Sequence, residues 1–74
     1  MPSSDSALIE IVVNGETHTV PRGLNISGLL ELLGLEPGRV AVELDRRIVR
    51  QPEWAGTRFE AGAKLEIVQF VGGG

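Results

Sequence analysis

Lys64-Leu65-Glu66-Ile67-Val68-Gln69-Phe70-Val71 runs without a break into Gly72-Gly73-Gly74. The first part is an apolar, β-branched run that predicts a strand, with Leu65 and Ile67 on one face and Val68 and Phe70 on the other. The second part has no Cβ atoms, so it can lie extended, adopt positive φ and let other backbones come close. From Val71 to Gly74 the chain can reach roughly 13 Å at about 3.3 Å per residue. A carboxylate on Gly74 would then be the one reactive group at the tip. The tail by itself also fits a frayed end, so the residues before it have to decide.

Upstream, the chain alternates between two periods. Leu8-Ile9-Glu10-Ile11-Val12-Val13 places Ile9, Ile11 and Val13 on one face at period two, a strand. Asn14-Gly15 follows, the strongest short hairpin signal because both positions tolerate positive φ. Glu16 to Val20 is the returning strand, ended by Pro21 and Gly23. Asn25 is a helix N-cap, and Ile26, Leu29, Leu30 and Leu33 form one apolar helical face. Gly34 supplies the left-handed position that ends the helix, and Pro37-Gly38 prevents its continuation. Gly28 costs helix propensity and is expected to let the helix approach the sheet.

Val40, Val42 and Leu44 form a third strand, Asp45-Arg46 a turn, and Arg47 to Val49 a short fourth strand. Gln51 to Gly56 is a turn or short helical loop, and a second turn surrounds Gly62. The order is thus hairpin, helix, two short strands, final strand. One helix with a single apolar face must bury it against a sheet. The economical arrangement puts the last strand centrally, beside the first. This predicts an α+β fold, a β-grasp of the ubiquitin-like kind, with a mixed sheet of four to five strands and one main helix across it. The expected limits are a disordered lead-in at 1–6, the domain at 7–71 and a flexible glycine tail at 72–74.

Composition narrows the function. The chain has 74 residues and no cysteine, so neither a disulfide nor a thiolate metal site or nucleophile is available. Any sulfur chemistry must use sulfur brought from outside. The net charge of −3 argues against sequence-independent nucleic-acid binding. Trp54, Phe59 and Phe70 are too few for a base-stacking platform. No stretch approaches the span of a bilayer, and Met1 to Ser6 lacks the pattern of a signal peptide. A cytoplasmic location without membrane contact is expected.

The segments Val40-Ala41-Val42-Glu43-Leu44, Ile48-Val49, Glu53-Trp54 and Leu65-Glu66-Ile67-Val68, with the ending Val71-Gly72-Gly73-Gly74, resemble the ThiS family. These are the sulfur carrier proteins of thiamine thiazole synthesis. The likeness runs from Leu8 onward and is most specific at Ile48 to Trp54 and at the glycines. The family usually has proline after the Ile-Val pair; here Arg50 stands there and Pro52 follows two residues later, a change confined to a loop.

The resemblance implies a carrier and substrate protein, not an enzyme, with no catalytic side chain. Gly74 would be adenylated by a partner related to ubiquitin-activating enzymes (ThiF/MoeB type), which uses ATP and Mg. The acyl-adenylate would become a thiocarboxylate, its sulfur supplied ultimately by a cysteine desulfurase. That thiocarboxylate would donate sulfur to thiazole synthase (ThiG type). Gly72 and Gly73 would let the tip enter both partners, and Val68 and Phe70, opposite the core face, would dock on them. No cofactor or metal is expected on this chain.

The remaining residues carry weaker signals. His18 has no second histidine or cysteine with which to bind metal. Trp54 reads as a loop anchor, and Arg46, Arg47 and Arg50 as a solvated basic cluster that could steer an acidic partner. Other readings stay open: the small sulfur-carrier subunit of molybdopterin synthase, a ubiquitin-like modifier, or an interaction module whose glycines are incidental.

Overall fold

Positive φ at Asn14 (50°) and Gly15 (84°) closes the first hairpin of the computed structural model, which describes residues 7–70. The hairpin joins β1 (Leu8–Val13) to β2 (Glu16–Pro21), in register from Leu8–Pro21 to Val13–Glu16. Alternation in β1 buries Ile9, Ile11 and Val13, as the period-two pattern requires.

Helix α1 (Ile26–Leu33) starts where Asn25 Oδ1 accepts the Gly28 N–H at 2.7 Å. It ends at Gly34 in the left-handed region, φ 73°. Ile26, Leu29 and Leu30 face the core and are almost fully buried. Gly28 does not serve a helix–sheet approach. A Cβ there would lie 2.6 Å from Leu24 Cδ1 and 3.1 Å from Asn25 Oδ1, so the glycine makes room for the N-terminal cap.

After a short 3₁₀ turn at Pro37–Arg39 come β3 (Val40–Leu44) and β4 (Arg47–Val49), antiparallel to each other. A longer 3₁₀ segment, Gln51–Gly56, seats Trp54 in the core against α1. The next residues run beside the start of α1: Thr57 O accepts from Ile26 N at 3.1 Å, and Phe59 N donates to Leu24 O at 3.3 Å. That pairing draws Phe59 into the core, a position that no periodicity marks.

The last strand, β5 (Lys64–Gln69), lies in the middle of a five-stranded sheet of order β2-β1-β5-β3-β4. It is parallel to β1 and antiparallel to β3, so the sheet is mixed. This is the predicted β-grasp, with α1 and Gln51–Gly56 covering one face. No charged or polar residue is buried among the described residues. Both hairpin turns also grip β5 through side chains. Asp45 Oδ1 accepts from Lys64 N at 3.0 Å, and Asn14 bonds both backbone groups of Ile67.

Candidate functional site

The pleat of β5 divides its side chains. Leu65 and Ile67 point inward, 1% and 8% exposed, while Glu66 and Val68 point to the uncovered face of the sheet. Phe70 continues the outward row, and its N–H donates to Arg39 O at 2.7 Å, extending the ladder toward β3. Val68 and Phe70 are 56% and 55% exposed. Both expected docking residues therefore lie on the outer face.

Register then adds a residue that the sequence reading missed. Ala41 stands opposite Val68, and Glu43 stands opposite both Glu66 and Ile48. Ile48 thus lies one row from Val68 on the same face, and at 73% it is the most exposed large apolar side chain among the described residues. Ala41, Glu43, Arg46, Ile48, Glu66 and Val68 line a shallow groove there. An alternation signal existed in Arg47-Ile48-Val49, but three residues do not say which face is covered.

Asp45 and Arg46 close the β3–β4 turn with φ of 49° and 72°. Left-handed backbone at two consecutive non-glycine residues is sterically costly. It sets Arg46 at the groove, whereas Arg47, on β4 opposite Leu44 of β3, points away from the face that carries Ile48. The arginines therefore do not form one basic cluster on this face.

His18 is half-buried on β2, and its Nε2 lies 3.8 Å from Glu16 Oε1. Among the described residues no group of three potential ligands is placed to hold a metal ion. Trp54 is a core anchor, 4% exposed, its Nε1 donating to Val49 O at 2.8 Å. No helix of the described residues is long and apolar enough to cross a membrane. Gly72, Gly73 and Gly74, the expected working end, lie outside the described residues, as does the lead-in at 1–6.

A family model for ThiS matches residues 7–74. The chain belongs to the ThiS family. A solved structure of the thiamine biosynthesis protein ThiS from Geobacter metallireducens superimposes with a TM-score of 0.77 at 30% identity, covering 89% of this chain and all of that one. Its solution structure gives a TM-score of 0.75 at the same identity, over 89% of this chain and 88% of the other. The family's β-grasp fold is thus the fold of this chain.

Among curated relatives, a thiazole synthase from Magnetococcus marinus is 35% identical and one from Paramagnetospirillum magneticum is 38% identical. Each aligns over 66 residues, 89% of this chain. The chain spans about a fifth of the length of these two enzymes, 20% in each case. The ycf40 protein of Pyropia yezoensis, which is uncharacterised, is 33% identical over 89% of this chain and 93% of its own.

Proposed function

We propose that this chain is a sulfur carrier for thiamine thiazole synthesis, and that Gly74 bears the sulfur. The observation that carries the reading is family membership over residues 7–74, a match that includes the three glycines. The two thiazole synthases support thiazole synthase as the acceptor, since each contains a segment like this chain within a longer protein.

The chemistry follows from the carboxylate. An ordinary α-carboxyl has a pKa of about 3.3–3.7, so it is an anion at neutral pH and resists nucleophilic attack. A carboxylate oxygen of Gly74 attacks the α-phosphorus of ATP on the activating partner, and pyrophosphate leaves. The acyl-adenylate has an electrophilic carbonyl. A sulfide-level sulfur nucleophile adds there and AMP departs, so that the C–O bond to AMP is replaced by the C–S bond of a thiocarboxylate. The thio acid is the better nucleophile and passes its sulfur to the thiazole-forming enzyme, the Gly74 C–S bond breaking as a new C–O bond restores the carboxylate.

No side chain of this chain takes part. The protein contributes a thin end and a surface by which two partners hold it. Val68, Phe70 and Ile48 on the outer face are the apolar part of that surface. Gly72 and Gly73 keep the approach to Gly74 free of Cβ atoms.

Intact mass after incubation with a ThiF-type activating enzyme, ATP, Mg and a sulfur donor tests the reading. The expected product carries one sulfur in place of one oxygen at Gly74. Gly73→Val is expected to abolish that product while leaving the melting temperature unchanged. An unmodified wild-type mass, or full modification of Gly73→Val, would count against the carrier role.

A further inference from the structure

Beyond Leu65 the last strand loses its parallel neighbour. β1 stops at Val13, and its pairing with β5 spans Val12–Lys64 and Val13–Leu65. On the other side β3 accompanies β5 as far as Gln69, paired with Val40. At Ile67 the place of β1 is taken by a side chain. Asn14 Oδ1 accepts the Ile67 N–H at 2.8 Å, and Asn14 Nδ2 donates to Ile67 O at 3.1 Å. The Asn14 backbone N–H meanwhile donates to Leu65 O at 2.9 Å. A carboxamide offers the same donor and acceptor as a peptide group. Asn14 therefore adds one more rung to the parallel ladder after its own backbone has turned away.

The turn alone does not require this side chain. A two-residue hairpin of this kind needs positive φ, which glycine and aspartate also supply. What the carboxamide adds is a grip on β5 three residues before Phe70. The grip pins the alternation that keeps Ile67 inside and Val68 and Phe70 outside. A slip of one residue would exchange the two faces.

We propose that Asn14 is a positioning residue for the C-terminal end. Its carboxamide holds Ile67 so that the segment leading to Gly72-Gly73-Gly74 is offered to the activating partner in a single register. The inference rests on the carrier reading above, and its test separates the two.

Asn14→Gly keeps a turn-compatible residue and removes both side-chain bonds. Asn14→Asp restores the acceptor for the Ile67 N–H but not the donor to Ile67 O. In amide exchange followed by NMR on the full chain, Asn14→Gly should speed exchange of the Ile67 N–H by about tenfold or more. Glu66 and Val68, whose ladder partners lie on β3, should exchange as in wild type, and Asn14→Asp should fall between. In loading assays on the same proteins, kcat for thiocarboxylate formation should drop by about tenfold or more in Asn14→Gly, because a small misplacement of a reacting group is costly. KM for the carrier should stay unchanged, and Asn14→Asp should recover part of the loss.

A merely structural role would lower the melting temperature and leave kcat per folded molecule intact, which would overturn the proposal. So would wild-type exchange at Ile67 in Asn14→Gly. A wild-type protein that is never loaded would overturn the carrier reading and the loading role with it, while the exchange of Ile67 still decides the grip itself.

Discussion

Trp54 combines two functions in one side chain. Its ring fills the core between α1 and the sheet, and its Nε1 satisfies Val49 O at the end of β4. Trp54→Ala is expected to cost about 3–5 kcal/mol, the range for removing a buried aromatic. Trp54→Phe keeps most of the apolar contact and loses the hydrogen bond, for about 1 kcal/mol. Urea midpoints of both variants check the order; equal losses would mean that the hydrogen bond dominates. Arg46 predicts the opposite sign. Its φ of 72° places a Cβ in the left-handed region, which costs roughly 1–2 kcal/mol relative to glycine. Glycine gives part of that back as unfolded-state entropy. Arg46→Gly should therefore stabilise the fold by about 0.5–1 kcal/mol, and a lower melting temperature would refute the strain.

The strands β3 and β5 contain a similar tension. Their register sets Glu43 directly opposite Glu66 on the open face. Like charges facing each other across antiparallel strands are destabilising, and opposite charges contribute roughly 0.2–1 kcal/mol. Glu66→Lys should therefore raise stability by about 0.5 kcal/mol at low salt. The gain should shrink in about 1 M salt, where the screening length is near 3 Å. Denaturant curves at both salt concentrations measure it, and a gain indifferent to salt would point to a cause other than charge. The cap of α1 combines a local and a distant bond: Asn25 accepts from Gly28 N, and its Nδ2 also donates to Ala55 O at 3.0 Å. The first bond was legible from Asn25 and the apolar face behind it. The second was not, because it depends on where Gln51–Gly56 returns.

Across the molecule, one sheet face is covered by α1 and Gln51–Gly56, and the other carries Ile48, Val68 and Phe70 in the open. The core does not use these side chains, so changing them should affect partners and not the fold. Val68→Asp and Ile48→Ser should each leave the melting temperature nearly unchanged, since exposed positions seldom matter by more than about 0.5 kcal/mol. On the proposed docking role, each should weaken binding to a ThiF-type activating enzyme by about tenfold or more, as expected of central apolar contacts. Calorimetric titration of both variants against that enzyme checks this. Wild-type affinity would show that the partners hold the chain elsewhere.

The elements and their inward faces were legible in the residues alone: the Asn14-Gly15 hairpin, the capped helix at Ile26–Leu33, and the alternation of Leu65 and Ile67 against Val68 and Phe70. Those features depend on neighbours within a few residues, so periodicity and cap chemistry expose them. The sequence also contained the family motifs and the glycines. What lies across the sheet follows from the way the strands assemble. Ile48 joined Val68 because β3 sets the register between β4 and β5. Phe59 entered the core because its segment pairs with Leu24 and Ile26. Asn14 reached Ile67, 53 residues away, because β1 and β5 run parallel and β1 ends first. Such contacts arise from strand order and register, which no local pattern encodes.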